Sequence, residues 1–502
     1  MGERGRGNAP QLTSVLPPGK RVKHGALTKL ARAAENRLTQ IVPTKESERA
    51  SQRRAEILRD LNAGKPPGAQ FEHEGSLPLG PAMVVQRYRL GNGLTVLTSV
   101  DASAPVVSYH TWFAVGSRHE QIGKTGLAHL FEHLMFNETE NHPAGSFDRT
   151  LEEAGAESNA ATWVDWTFYH ESIPKDRVGL VIELEAERMA RLVLREPQVT
   201  SEKEVVANER RYRVDDDVEG AVSELLYKTA YTTHAYSWPT IGWMSDIEGF
   251  TTEDCARFYR TYYAPNNATV VVVGDFKERD LLAKIQKAYG GLESAELPVE
   301  DVKPEPPQAG ERRLGVKKPT ATDKLAIAYH GPAFGDVDHV PLTMLSEVLF
   351  SGRSSRAHRS LVQQDEIATE LRGWVSTFRD PGLFEIYATA RPGKTSAELL
   401  AALDRELARV IAEPVTSAEL DKVKAKVELA LVQSLETASG KAEQIGFYHT
   451  VLGDPGGAFA RLEAYRRTTR SDLLRVARRY LVRDRRTLIE VHPEASSSHD
   501  GG

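Results

Sequence analysis

A proline- and charge-rich stretch, residues 296–320, divides this 502-residue chain into two long parts. Such a composition is typical of a linker between folded units. A chain of this length also exceeds what a single hydrophobic core usually supports. We therefore predict two domains, residues 81–295 and residues 321–494, joined by this linker.

The two ends of the chain have a different character. Residues 1–32 are basic and rich in glycine and proline. Residues 46–62 have a pattern typical of an amphipathic helix that ends before Gly64. We interpret residues 1–80 as an N-terminal extension that is partly helical or flexible, and residues 495–502 as a flexible tail.

Both predicted domains mix alternating strands with helices of moderate length. Asn92-Gly93 between alternating apolar residues predicts a hairpin. The dipeptide Tyr109-His110 recurs 220 positions later as Tyr329-His330, and the helix that ends at Tyr263 recurs 217 positions later at Tyr480. These echoes indicate duplicated α+β domains, each a mostly antiparallel mixed sheet with helices packed on one face.

Composition excludes several classes of protein. The net charge of -6 and the pI of about 6.2 give no reason to expect nucleic acid or an anionic membrane as a partner. No apolar run approaches the roughly 20 residues that span a bilayer. The N-terminus has no apolar core of a secretory signal, so we expect a cytoplasmic protein, or a periplasmic one if a signal was removed. The single cysteine, Cys255, leaves histidine and carboxylate as ligands for any zinc ion.

One helical segment carries the spacing of a metal site. Gly126–Phe136 has apolar residues on a helical repeat, and His129 and His133 would face the same side, one turn apart, which suits capture of one zinc ion. Glu132 shares that face and could take a proton from a water molecule that zinc acidifies, then pass it to the leaving amine. This order, H-x-x-E-H, inverts the H-E-x-x-H motif. The other interpretation is a pair of hydrogen-bonded histidines on a partly exposed helix.

A third protein ligand is required for a zinc hydrolase. The segment from Thr200 to Arg211 predicts a helix on which Glu202 and Glu209, seven residues apart, share one face. One could bind zinc while the other supports the site, but their spacing alone does not choose between them, and a solvated charged face is the alternative.

These residues resemble the pitrilysin/insulinase group of metallopeptidases, the inverzincins, and particularly short members such as mitochondrial processing peptidase. The resemblance extends from about Gln86 to Glu494. Its most specific part is the inverted motif followed, 76 positions after His133, by a glutamate. The resemblance implies that Glu209 is the third zinc ligand and Glu202 the supporting carboxylate.

Further stretches carry the resemblance on both sides of the motif. They include Gly116–Glu120, Gly123–His129 and the strand-like segment around Asn159 and Ala160. In the family this last segment is a sheet edge beside the zinc, to which a peptide substrate adds as an extra strand. The resemblance implies a substrate-binding role for Asn159 and Ala160; a simple strand and turn is the alternative.

The chain departs from the family pattern in its second half, which has no H-x-x-E-H motif, so one zinc ion per chain is expected. The family's other half-enzyme usually supplies an Arg and a Tyr, seven apart, that reach the substrate's oxyanion. The matching positions here hold Val362 and Thr369. We therefore expect this chain to be the zinc-bearing subunit of a heterodimer whose homologous partner supplies that pair.

The resemblance thus implies a zinc-dependent endopeptidase or oligopeptidase that hydrolyses unfolded peptides in a closed chamber. One alternative is a non-catalytic scaffold subunit of a larger complex, although such relatives usually lose motif residues that this chain retains. A second alternative is a peptide-binding or chaperone-like module with a structural zinc ion.

Overall fold

The computed structural model describes residues 45–80 and 83–494, which form two domains, each built on one β-sheet. The strands of the N-terminal domain are β1 (Phe71–Leu79), β2 (Met83–Leu90), β3 (Thr95–Val100), β4 (Val106–Phe113), β5 (Glu157–Thr162), β6 (Thr167–Pro174) and β7 (Ala268–Gly274). The strands of the C-terminal domain are β8 (Arg312–Lys318), β9 (Lys324–His330), β10 (Ala368–Val375), β11 (Leu383–Ala390) and β12 (Arg486–Pro493).

The helices lie mostly between the strands. Those of the first domain are α1 (Lys45–Asn62), α2 (Leu127–Leu134), α3 (Ser146–Glu153), α4 (Val178–Arg191), α5 (Glu196–Arg210), α6 (Val218–Ala230), α7 (Met244–Glu248), α8 (Thr252–Tyr262) and α9 (Glu278–Tyr289). Those of the second domain are α10 (His339–Phe350), α11 (Ser396–Ala412), α12 (Ser417–Ser434), α13 (Ala438–Leu452), α14 (Gly457–Arg467) and α15 (Arg470–Tyr480).

The two sheets share one topology. The first has the order β1-β2-β3-β7-β4-β6-β5, and the second has the order β8-β12-β9-β11-β10. In spatial order, the five strands β3-β7-β4-β6-β5 of the first sheet therefore match β8-β12-β9-β11-β10 of the second. In each set the first two strands are parallel, and the other neighbouring strands are antiparallel. The predicted fold class, two homologous α+β domains with mixed sheets, is confirmed.

One of the sequence echoes does not correspond to this repeat. Tyr109 on β4 lies opposite Val272, well inside β7, whereas Tyr329 on β9 lies opposite Arg486, the first residue of β12. The two Tyr-His dipeptides therefore occupy different register positions, and their similar spacing does not mark equivalent residues.

Two strands lie in segments that the sequence analysis treated as connections. Strand β1, within the predicted N-terminal extension, pairs with β2 as an edge strand of the first sheet. Strand β8, within the predicted linker, pairs in parallel with β12. The first part of the linker, before β8, has no regular structure.

Each sheet is buried on both faces, because each domain contributes a helix that covers one face of the other domain's sheet. Val272 of β7 packs with the first domain's own helices, whereas its neighbours Val271 and Val273 pack with α13 of the second domain. In return, α6 of the first domain packs on the second sheet, where Leu226 contacts the cluster around Ile489. The alternating side chains of a strand explain why such strands are apolar throughout.

The contact between α13 and the first sheet is close. A Cβ atom on Gly446 would lie 2.1 Å from the indole nitrogen of Trp112. Only glycine allows this approach. Among the described residues, no helix is long and apolar enough to cross a membrane.

Candidate metal centre

The helix α2 places two imidazole rings side by side. Its Leu130, Phe131 and Leu134 are buried in the domain core, which leaves His129 and His133 together on another side of the helix. The two ring centroids are 5.0 Å apart, with the ring planes at 70°. The predicted spacing therefore brings both histidines to one place.

The neighbouring helix α5 adds a carboxylate to this pair. Oε2 of Glu209 lies 3.2 Å from Nε2 of His133 and 3.7 Å from Nε2 of His129. Ligand atoms bonded at about 2.0–2.2 Å to a tetrahedral zinc ion lie about 3.4 Å apart. Two imidazoles and one carboxylate also form a donor set known from zinc hydrolases. The residues therefore fit a zinc ion.

In the described part of the chain, no other three His, Cys, Asp or Glu side chains bring their ligand atoms this close together. The three ligand atoms of His129, His133 and Glu209 all lie within 4.8 Å of one another. The sequence spacing had left Glu202 and Glu209 as alternatives, and the geometry places only Glu209 near both rings.

The pKa values of Glu209 and His129 suit metal ligands. Burial lowers the pKa of His133, but the hydrogen bond with Glu209 and the nearby carboxylates outweigh burial and raise that pKa, so a metal ion would displace a proton from that ring. Burial raises the pKa of the Glu209 carboxyl, but its hydrogen bond with His133 and the nearby positive charges outweigh burial and bring the pKa to about 2. One of these charges is Arg213, whose Nε lies 2.9 Å from Oε1 of Glu209. Burial also lowers the pKa of His129, which favours the neutral imidazole that a metal requires.

Glu202 lies outside the cluster, on the other side of the His133 ring from Glu209. Its Oε2 is 3.7 Å from Nδ1 of His133, the ring nitrogen that does not face Glu209. Asn137 donates a hydrogen bond of 3.2 Å to the other carboxylate oxygen of Glu202. This is the position of a carboxylate that orients a metal-binding histidine.

Glu132 lies between the two histidines on α2 and is partly exposed. Among the described residues, none donates a hydrogen bond to its carboxylate. Its carboxylate is therefore available to a water molecule or a substrate.

The strand β5 forms the edge of the first sheet next to α2. Asn159 is exposed on this strand, and Ala160 is partly buried. Ala160 pairs with Tyr169 of β6, whose hydroxyl donates a hydrogen bond of 3.0 Å to the carbonyl of Phe131 on α2. The edge strand β5 is thus linked through β6 to α2, the helix that carries the two histidines and is called the metal helix below.

Glu120 has a role that the sequence analysis missed. Its buried carboxylate accepts hydrogen bonds from the backbone N–H groups of Gly126, at 2.8 Å, and Ala128, at 2.7 Å. These groups begin α2, where the backbone N–H groups have no partner within the helix. The sequence signal for this role is an acidic residue shortly before the start of a predicted helix.

Two glycines hold α2 against the segment that follows α6. Gly126 has a φ of +98°, and a Cβ atom on it would lie 2.5 Å from the carbonyl oxygen of Ile241. A Cβ atom on Gly242, with a φ of +86°, would lie 2.2 Å from the carbonyl oxygen of Thr125. Arg210, next to the candidate ligand Glu209, donates a hydrogen bond of 2.8 Å to the carbonyl of Gly242. These contacts fix the two ligand helices relative to each other.

Arg118 is a second residue whose role was missed. It is buried at the junction of the two domains, with Nη1 at 3.1 Å from Asp165 and Nη2 at 2.9 Å from Asp380 of the second domain. Asp165 also accepts hydrogen bonds from the hydroxyl of Tyr236 and from the backbone N–H of Arg379, both at 2.8 Å. Part of the family-like segment Gly116–Glu120 therefore joins the two domains.

The two positions expected to lack an Arg/Tyr pair lie in the second domain. Val362 is partly buried and packs against that domain's core. Thr369 is exposed on the edge strand β10, where its hydroxyl donates a hydrogen bond of 3.4 Å to the carbonyl of Thr389.

Comparison with known proteins gives a consistent result. Residues 95–242 match the model of the insulinase family (peptidase family M16), and residues 249–427 match that of the peptidase M16 inactive domain. The chain is 33% identical to the zinc protease PqqE of Helicobacter pylori over 427 residues, which are 83% of this chain and 96% of that protein. It is 24% identical to the probable mitochondrial-processing peptidase subunit beta of Arabidopsis thaliana, over 78% of this chain and 75% of that protein.

Solved structures show the same relation. The crystal structure of a protease from Helicobacter pylori has a TM-score of 0.77 and 32% identity, and the match covers 84% of this chain and all of that one. A peptidase M16 inactive domain from Pseudomonas fluorescens has the same fold, with a TM-score of 0.75 at 17% identity over 82% of this chain and 98% of that one. With its two domains and its H-x-x-E-H helix, the chain belongs to the insulinase family of peptidases, M16.

Proposed function

We propose that this chain is a zinc-dependent endopeptidase or oligopeptidase that hydrolyses unfolded peptides. The observation that carries the proposal is the convergence of His129, His133 and Glu209, with Glu132 on the same helix. The relatives named zinc proteases support it.

The residues of the site divide the chemistry between them. Zinc, when bound by the two histidines and Glu209, would act as a Lewis acid and acidify a water molecule. Glu132 accepts a proton from the attacking water and donates it to the leaving amine. Glu202, with its carboxylate 3.7 Å from Nδ1 of His133, would orient that ring.

The peptide lies along the edge strand β5 in this proposal. An unpaired strand edge offers backbone N–H and C=O groups to an extended chain, and Asn159 is exposed there. Because only an extended backbone can pair in this way, unfolded peptides are the expected substrates and folded proteins are excluded.

Metal binding and cleavage test the proposal together. We expect the purified chain, with its partner subunit present, to bind one zinc ion and to cleave an unstructured peptide in a chelator-sensitive way. Glu132→Gln should keep the zinc ion and lose cleavage, whereas Glu209→Gln should lose both. Glu204→Gln is the matched control, because Glu204 is an exposed glutamate on the same helix α5.

The results separate this function from the alternatives. A scaffold subunit would show no chelator-sensitive cleavage even with its partner. A chaperone-like module with a structural zinc ion would bind zinc and unfolded peptides without cleaving them. Either result would refute the peptidase.

We also propose that the chain is the zinc-bearing subunit of a heterodimer that encloses its substrate in a chamber. The support is Val362 and Thr369 at the positions where the family's partner half has Arg and Tyr. The relative named as a beta subunit is consistent with such a partner.

The missing Arg/Tyr pair can be supplied in two ways, by a partner subunit or by substitution. Mixing with a homologous subunit that has the Arg and Tyr should raise peptidase activity strongly over that of the isolated chain. The double variant Val362→Arg/Thr369→Tyr should raise the activity of the isolated chain, because two copies could then serve each other. Full activity of the unmodified chain alone would refute the heterodimer.

A further inference from the structure

A cavity of about 340 Å³ lies between the linker and the second domain, and the proposed peptidase does not use it. We call it the linker cavity. Its size is within the range of sites for small molecules. One wall is formed by the linker segment Pro304–Gln308, and the others include His330, Arg479, Tyr480 and Arg485.

Most polar groups of the linker cavity already have partners. Glu305 accepts hydrogen bonds from the backbone N–H groups of residues 232–234, and Asp380 pairs with Arg118 and His234. The side chain of Gln308 donates to the carbonyl of Arg486. The negative charges of the wall are therefore compensated.

Two arginines at the linker cavity have donors to spare. Arg485 is exposed and has no ion-pair partner in the described part of the chain. Arg479 reaches Asp338 only at 3.5 Å, and its side chain is 42% exposed. Guanidinium groups bind carboxylates in a planar, two-point geometry.

The surroundings add a positive field. Residues 466–486 contain nine arginines and two acidic residues, in a chain whose net charge is -6. Of these arginines, Arg467, Arg470 and Arg478 are exposed and have no ion-pair partner among residues 45–80 and 83–494. The other arginines of this segment, except Arg485, pair with acidic side chains. The positive charge that remains unpaired attracts anions.

His330 offers a different contact. Its Nε2 donates a hydrogen bond of 2.9 Å to the carbonyl of Ala230, and no described residue bonds its Nδ1. Burial lowers the pKa of His330, so the ring is neutral at neutral pH and Nδ1 is an acceptor. The prolines of the linker and the ring of Tyr480 supply apolar surface beside it.

We propose that the linker cavity binds the carboxy-terminal residue of a peptide or an N-acylated amino acid. The carboxylate pairs with Arg479 and Arg485, the amide N–H donates to Nδ1 of His330, and an apolar side chain packs on the proline wall. This site is separate from the metal centre and does not depend on the proposed peptidase.

Calorimetric titration of the zinc-free full chain tests the site, because a carboxylate could also bind a zinc ion. N-acetylphenylalanine should bind, whereas N-acetylphenylalaninamide and inorganic phosphate should not. Binding of the amide with equal affinity would refute recognition of the carboxylate. Equal binding of phosphate would refute the role of the apolar wall, and no binding of the acid would overturn the site.

Variants locate the binding. Arg479→Ala/Arg485→Ala should weaken binding of N-acetylphenylalanine at least about tenfold, since hydrogen bonds to charged groups are lost. Arg478→Ala is the matched control: it removes an exposed arginine of α15 that does not line the linker cavity, and it should leave binding unchanged. If the double variant does not fold, Arg485→Ala alone applies, because Arg485 has no ion pair with any described residue to lose. Unchanged binding in the arginine variants would place the ligand elsewhere and overturn the proposal.

Discussion

The hydrogen bonds of Glu120 give a direct test of how the metal helix is held. Its buried carboxylate accepts the N–H groups of Gly126 and Ala128, at the start of α2. Ala128 immediately precedes the proposed ligand His129. The substitution Glu120→Ala removes both acceptors and leaves two buried donors at the end of a helix.

The expected loss in the free energy of unfolding follows from those two buried donors. A buried N–H group without a partner costs about 1–3 kcal/mol, so the pair costs about 2–6 kcal/mol. Burial raises the pKa of Glu120 to about 8, so at neutral pH the substitution removes hydrogen-bond acceptors rather than a full negative charge. We therefore expect Glu120→Ala to lower the free energy of unfolding by at least about 2 kcal/mol. Because the first turn of α2 shifts, zinc affinity should fall by about 10- to 100-fold.

Urea unfolding of the zinc-free chain, followed by circular dichroism, measures the stability, and chelator competition measures the zinc affinity. Glu153→Ala is the control, since Glu153 is exposed at the end of α3; its effect should remain within about 0.5 kcal/mol. If Glu120→Ala were as stable as this control, the argument that Glu120 anchors the helix would be refuted.

Three further predictions follow from buried contacts. Gly446→Ala should lower the thermal unfolding midpoint by several degrees, because its Cβ atom would meet Trp112 at 2.1 Å; an unchanged midpoint would show that α13 can move. Arg118→Met should cost about 3–5 kcal/mol in urea unfolding, because Asp165 would be left buried without its cation; a neutral effect would contradict this. Burial raises the pKa of Glu385 to about 7, so the folded chain keeps a proton that the unfolded chain releases near 4.5. Glu385 should therefore contribute a fall in the free energy of unfolding of about 2.5 kcal/mol between pH 5 and pH 8, and Glu385→Gln should remove that contribution.

Local patterns predicted the parts of the fold that depend on neighbouring residues. The Asn92-Gly93 turn joins β2 and β3 as expected, with Gly93 at a φ of +92°. The helix carrying the histidines begins and ends within the predicted segment. The strand β8 was assigned to a linker, because its charged residues, two at each end, resemble those of the segment before it and its partner β12 is more than 160 residues away.

The features of the site that could not be predicted from the sequence depend on long-range contacts. On one helix, Glu202 and Glu209 have equivalent spacing, and only the position of α2 distinguishes them. The anchoring role of Glu120 depends on a loop that brings its carboxylate back to the helix start. The role of Arg118 depends on Asp380, which lies in the other domain. Spacing along the chain contains no information on such pairs.

The metal helix and the domain junction are connected through one short segment. Arg118 joins the two domains, and Glu120, two residues later, holds the start of α2. A change in the relative position of the domains would therefore move the support of the helix that carries His129. The second domain also covers one face of the first sheet through α13, where Val271 and Val273 would otherwise meet water. The domain without a metal motif is thus part of the structure that holds the candidate metal ligands, so the two domains form one structural unit.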